Sequence, residues 1–413
     1  MEPRTTLPFD ILVSIIDLFA GGDDGDISSL QCLSQACKFM VPLCRKHLFS
    51  SLHIPSSKSK LEDLSELLSK NPDIAHYVKS LHYVVYIPIG DHELNILDVL
   101  KEFSPLQSIE LQSLATQWDD FPESIRSSLV FLIHLPTVVR LSMQSFKGFP
   151  AIALSRCSNL VDLQLRGRLQ MAPPEVNQVI QRNKIPTLFS LSVGATTFDC
   201  LAILLNCGGR HAGGSIIDVS RLQRASFDVD SPGHIGLIIE FIKVTTRLEY
   251  FNLTLDSKPV ELTGLGASLA MNAYQTLKSL ELRITIVGDD YDPLCGLSPE
   301  LRFLARTNVL EKLELQLMVR GGVSCKTQSK DWSTFDSLLT QSGGFPMLHR
   351  VSVHILWRAQ CEIVDDESRW ENLQADKFPR LMESKAVEFD LSAEGYKCCS
   401  VRPSYVYATS NYK

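Results

Sequence analysis

Ten histidines and eleven cysteines are the side chains of this 413-residue chain best suited to nucleophilic, acid–base or metal chemistry, and their spacing sets them to none of it. No C-x-x-C pair occurs. Cys32, Cys37 and Cys44 fall near one another, but zinc needs tighter pairs with histidines at set spacings. Cys398 and Cys399 are neighbours and lack such partners. An odd number of cysteines scattered through apolar runs reads as free buried thiols in a reducing compartment. Covalent catalysis needs a nucleophile beside a base. The local signatures G-x-S-x-G, H-E-x-x-H and G-x-x-x-x-G-K-S/T are all missing. Gly208-Gly209 and Gly213-Gly214 flank Arg210-His211, without the lysine of a phosphate-cradling loop, and read as a connector. Gly264-Leu265-Gly266 is half of a dinucleotide fingerprint at most. The expectation is a binding protein, not an enzyme, with no cofactor and no metal.

Composition narrows what is bound. The net charge of −7 argues against nucleic acid and against an anionic membrane surface. With 45% hydrophobic residues the chain can bury a large core. No apolar run reaches the roughly 20 residues of a membrane helix. The N-terminus also lacks the pattern of a secretory leader. The expected location is therefore the cytoplasm or nucleus. The sequon Asn252-Leu253-Thr254 falls inside an expected strand and reads as a chance match.

A pattern of apolar, two residues, apolar, one residue, apolar recurs along the chain. It appears as Val78-Leu81-Tyr83, Leu106-Ile109-Leu111, Val138-Leu141-Met143, Leu160-Leu163-Leu165 and Leu188-Leu191-Val193. It continues as Leu222-Ala225-Phe227, Leu248-Phe251-Leu253, Leu277-Leu280-Leu282, Leu310-Leu313-Leu315 and Leu348-Val351-Val353. A degenerate match at Leu381 would feed a strand near Ala386 to Leu391. From Val78 to Leu348 is 270 residues in nine steps, a mean of 30. The alternation closing each unit predicts a strand. Helical stretches are expected between, at 58–70, 94–103, 123–134, 174–182, 234–244, 264–274, 299–307 and 332–341. A strand–helix unit repeating at this length is the pattern of leucine-rich repeats, though longer than their usual 20–29 residues. Such units cannot bury an apolar face alone and stack to make one core. The predicted fold is α/β: a curved solenoid of about ten or eleven irregular repeats over 55–394, with an inner parallel sheet and outer helices. A tail, 395–413, follows. Residues interleaved with the strand leucines point away from the core. Arg166, Asp228, Glu281, Arg283, Glu314 and His354 are the candidate target-binding set on that inner face.

Residues 1–54 have a different rhythm. Pro8 suits the first turn of a helix. Ile11, Leu12, Ile15, Ile16 and Phe19 form one helical stripe. The run Gly21-Gly22-Asp23-Asp24-Gly25 ends it. Asp26 is placed to cap a second helix carrying Ile27, Leu30, Leu33, Ala36 and Cys37. Pro42 opens a third through Leu43, His47 and Leu48. Three short helices make too small a core to stand alone comfortably, so some of the apolar surface is expected to meet something else.

The Leu7-Pro8 opening, the Ile11-Leu12 and Ile15-Ile16 pairs and the Leu30…Leu33…Cys37-Lys38 run resemble an F-box. That is the adaptor-binding module of cullin-RING ubiquitin ligases. The ending Pro42…Arg45-Lys46-His47-Leu48-Phe49 is similar to that of F-box proteins from mushroom-type fungi. Phe39-Met40 stands where many F-boxes carry a tryptophan, and Asp10 where a glutamate is usual. The resemblance implies a substrate receptor of an SCF-type ligase. Its helical segment would bind a Skp1-type adaptor, and through it the cullin-RING ligase, while the repeats hold a target protein. It points to Leu7, Pro8, Ile11, Leu12, Ile15, Ile16, Leu30, Leu33 and Cys37 as adaptor contacts or their supporting core. The competing expectation is an interaction scaffold whose N-terminal helices only cap the solenoid.

Overall fold

The computed structural model describes residues 9–20, 25–36, 38–114, 116–175, 185–206, 214–255, 260–287, 294–305, 308–320, 330–359 and 377–397. Three helices come first: α1 (Phe9–Ala20), α2 (Gly25–Ala36) and α3 (Val41–Leu48), the last with Pro42 in its first turn. Strand β1 (Ser51–Ile54), helix α4 (Lys58–Lys70), β2 (Ser80–Val85), α5 (Asp91–Phe103), β3 (Ser108–Ser113), α6 (Glu123–Ile133) and β4 (Arg140–Gln144) follow in alternation. Next come β5 (Phe149–Pro150), β6 (Asp162–Arg166), β7 (Met171–Ala172), β8 (Ser190–Val193), α7 (Phe198–Leu205), β9 (Arg224–Val229), α8 (Pro232–Val244) and β10 (Tyr250–Leu255). The remainder is α9 (Leu265–Asn272), β11 (Ser279–Val287), α10 (Leu297–Leu304), β12 (Lys312–Arg320), α11 (Lys330–Leu339), β13 (Arg350–Ala359), α12 (Pro379–Glu383) and β14 (Glu388–Lys397). Twelve of the strands make a large parallel sheet in chain order; β5 and β7 pair separately. The strands need crossover connections because they are parallel, and the helices and turns between them supply these.

Two compact units divide the chain: Met1–Leu188 with Thr196–Asp218, and Phe189–Ala195 with Val219–Lys413. The first unit holds α1 to α7 and strands β1 to β7. The recurring apolar triplets supply its core, and Val78, Leu81, Leu106, Leu163 and Leu165 are fully buried. Trp118, Phe121, Phe146 and Phe149 pack edge to face beyond the strand ends, with Trp118 and Phe149 centroids 4.9 Å apart. Helix α5 begins at a carboxylate cap: Glu93 Oε2 accepts the Gly90 N–H at 3.0 Å. Helix α4 keeps its predicted bounds, and Asn71 Nδ2 donates back to the Leu67 carbonyl at its end.

The second unit runs from β8 to β14. Two of its buried acids, Glu300 and Asp336, each accept backbone N–H groups at a helix start. Glu300 takes those of Gly264 (3.1 Å) and Gly266 (2.7 Å) before and within α9. A Cβ on Gly266 would lie 2.0 Å from the Glu300 carbonyl oxygen, so only glycine lets α9 and α10 approach this closely. Asp336 of α11 takes those of Arg380 (3.2 Å) and Leu381 (2.9 Å) in α12. Strand β14, last in the sheet order, turns Glu388, Asp390 and Glu394 to solvent, which protects an edge from further pairing.

Every strand of the ten predicted from the triplets is present, and no triplet residue is more than 4% exposed. The strand near Leu391 is also present, as β14. One strand was hidden in the sequence. Ser51–Ile54 falls inside the stretch 1–54 that reads as helical, yet it pairs in register with β2. Phe49-Leu52-Ile54 is the same triplet, masked because Phe49 looked like the end of α3. Residues 176–182 of the expected helix at 174–182, and residues 208–213 of the glycine-rich run, lie outside the described residues.

In each unit the strands start alike. One carbonyl accepts two consecutive N–H groups from the next strand's entry. Ser50, Lys79, Gln107 and Val139 do this in the first unit, and Phe189, Gln223, Glu249, Lys278 and Glu311 in the second, at 2.7 to 3.2 Å. Hydroxyls add to it, as Ser104 Oγ donates to the Val78 carbonyl and Thr276 Oγ1 to that of Leu248.

Candidate functional site

The N-terminal helices bury little and expose much. Their core is Ile16 of α1, Leu30 of α2 and Cys44 of α3, with Leu33, Met40, Leu43 and Leu48 packed against it. Asp17 ties α1 to α3, accepting from His47 Nε2 at 2.8 Å with Lys46 Nζ at 3.6 Å. Outside this core stand Phe9 (58% exposed), Ile11, Leu18 (76%), Phe19, Ile27 (53%) and Phe39. Phe9 and Phe39 lie against each other, ring centroids 6.1 Å apart. Helix α1 is apolar on nearly all sides, and part of that surface is left uncovered among the described residues.

The structure sorts the residues expected at an adaptor contact. Ile16 and Leu30 are core, and Leu12, Ile15 and Leu33 are half-buried. Ile11 belongs to the exposed face. Leu7, Pro8 and Cys37 lie outside the described residues. Phe9, Leu18, Phe19, Ile27 and Phe39 of the exposed face were not among the expected adaptor contacts. Their apolar type was visible; which side of α1 and α2 meets α3 was not.

The predicted inner-face residues alternate with buried core residues, but one of them, Glu281, is itself buried. Arg166 stands on β6, in register with Gln144. The other five are in the second unit, in two neighbouring rows. Asp228, Arg283 and His354 share one row with Thr254, Gln316 and Ser392. Glu281 and Glu314 share the next with Asn252, Ser352 and Asp390. Local pairs use up much of this charge. Arg283 Nη2 bonds Glu281 Oε1 at 2.8 Å, the Tyr250 hydroxyl also donates to Glu281, and Lys312 Nζ bonds Glu314 at 2.6 Å. His354 Nδ1 and Ser392 Oγ are 2.6 Å apart. Asn252 Nδ2 donates to the Tyr250 oxygen, whose proton goes to Glu281. The face is a mixed polar surface on which several side chains pair with one another.

Sequence reasoning missed one cluster. His53 and His82 occupy matching places on β1 and β2, with Glu110 next in the row on β3. Each histidine sits between the last two apolar residues of its triplet, so the repeat itself would have aligned them. Among the described residues no three His, Cys, Asp or Glu side chains are grouped to hold a metal ion, and no helix is long and apolar enough to cross a membrane.

No family model matches the chain, and no curated protein matches it.

Proposed function

We propose that this chain is the substrate-recognition adaptor of an SCF-type ubiquitin ligase. Its N-terminal helices act as an F-box that docks on a Skp1-type adaptor. Its strand–helix units, stacked as a leucine-rich-repeat solenoid, hold a target protein. The chain catalyses nothing itself and carries no cofactor; it raises the effective concentration of a target lysine near a charged ubiquitin-conjugating enzyme. It works in the cytoplasm or nucleus, and neither nucleic acid nor membrane is its partner.

One observation carries the reading. The helical segment leaves Phe9, Ile11, Leu18, Phe19, Ile27 and Phe39 uncovered while burying only a handful of side chains. Apolar helix faces of this kind bind by insertion into a partner groove. The competing reading, a cap on the solenoid, is favoured by the packing of α3 on the 3-10 turn Pro72–Tyr77 and by the direct run of α3 into β1. A cap needs its apolar side against the repeats and a polar outer side, whereas here Phe9, Ile11, Leu18, Phe19, Ile27 and Phe39 are exposed.

A pull-down with purified Skp1-type adaptor tests the choice. Wild type binds, and Leu18→Ser/Ile27→Ser loses binding while its unfolding midpoint stays put. A wild-type chain that never captures the adaptor ends this reading and leaves the scaffold.

A further inference from the structure

We infer that the facing histidines His53 and His82 make the seating of strand β1 depend on proton concentration. Strand β1 is four residues long and stands first in the sheet order, so β2 is its one strand neighbour. It is also the link between α3 and the sheet. The parallel register sets His53 directly beside His82. Their Nδ1 atoms are 3.1 Å apart, and the rings meet edge to face with centroids at 4.6 Å.

Such a contact has a fixed proton count. One Nδ1 must carry a hydrogen and the other must offer a lone pair. Two neutral imidazoles of opposite tautomer meet this condition. One added proton still leaves one acceptor. A second leaves two N–H groups pointing at each other and two positive charges in contact. Among the described strand residues of β1, β2 and β3, the other charged group is Glu110 on β3, in register with His82. It attracts the added charge and offsets part of the repulsion, but it cannot supply the lost acceptor. Burial first, and then the neighbouring His82, hold His53 below the ordinary histidine value, with Glu110 acting against them.

The sign follows from linkage. The unfolded chain takes protons at the ordinary value of 6.5, while the folded pair resists the second one. The stability it lends is complete above that value and is lost as pH falls below it. The loss falls on Leu52 and Ile54, which β1 anchors in the core, and on the Ser50 carbonyl that receives the Lys79 and Ser80 N–H groups. Acid therefore loosens the join between the helical segment and the sheet. This inference is independent of what the helical segment binds.

Amide hydrogen exchange on the full chain, corrected for intrinsic rates, tests it at about pH 7.5 and about pH 5. Residues 51–54 and 80–83 are expected to lose protection several-fold at the lower pH, while 224–229 and 250–255 hold theirs. His82→Gln should remove the difference. An equal loss in that variant, or no loss in wild type, overturns the inference. Should the variant fail to fold, ring titration of the wild type by NMR decides. Two separated steps, with His53 below 6.5, are expected. A single shared step at the ordinary value overturns it.

Discussion

The helical segment and the strand–helix units use the same apolar residue types and hide them very differently. In the units every triplet residue is covered, because each unit lies between two others that share its core. In the segment, α1 is rich in apolar residues, but among the described residues its main contacts are α2 and α3. Burial here is set by the number of neighbours rather than by composition. On the reading proposed above, the apolar surface left over where neighbours run out is where the adaptor docks.

Substitution of one leucine on each side is the sharpest way to break this contrast. Leu313→Ala, in the core under β12, should cost about 2–5 kcal/mol in denaturant unfolding. Leu18→Ala should change stability by no more than about 0.5 kcal/mol. A comparable loss at Leu18 would make the exposed face part of a core, and the contrast would fail. The next effect sits in the second unit. Asp336→Ala strips two N–H groups of α12 of their acceptor and should cost about 1–3 kcal/mol. The loss should appear first as faster amide exchange over 379–391, since α12 lies just ahead of β14. His134 gives a pH handle on the first unit. Its Nε2–H donates to the Ala153 carbonyl at 2.7 Å. Burial holds this imidazole below the ordinary value, the Ala153 bond opposes that, and Arg156 adds to it. Stability from this site is complete above about pH 6.5 and falls with pH below it. His134→Gln should flatten the dependence in thermal scans. Asp17→Asn should be the smallest effect, at most about 1 kcal/mol, because its pairs with His47 and Lys46 are half exposed. Added salt should erase most of that difference. A larger cost would mean that α1 and α3 are held by charge more than by Ile16 and Leu30.

Most of the fold was legible because a strand in a repeat leaves two kinds of mark, its own alternation and the spacing to the next. Ten strands showed both. Strand β1 showed them too, but its triplet begins with Phe49, a residue the preceding helix also claims. The helix bounds shifted by a few residues, as at α8, where Pro232 rather than His234 opens the helix. The site was less legible. A stripe of apolar residues locates a helix face, but α1 is apolar almost all round, so Ile16 and Leu18 look alike in sequence. One is 1% exposed and the other 76%. On the sheet face the alternation put Glu281 and Arg283 on the same side, but only Arg283 is exposed and Glu281 is buried. That they pair with each other depends on rotamers and on Tyr250 one strand away, which no spacing rule contains.

The shared carbonyls at the strand entries have a consequence for how this chain tolerates change. The steps between neighbouring triplets run from 22 residues, Val138 to Leu160, to 38, Leu310 to Leu348. The strands on either side still pair position for position. Because most strands are hooked at their first residues to a fixed point on the predecessor, segment length and sheet register are independent variables there. Residues can be gained or lost in a connection without sliding one row of the face against the next. The face can therefore vary side chain by side chain while its grid stays still.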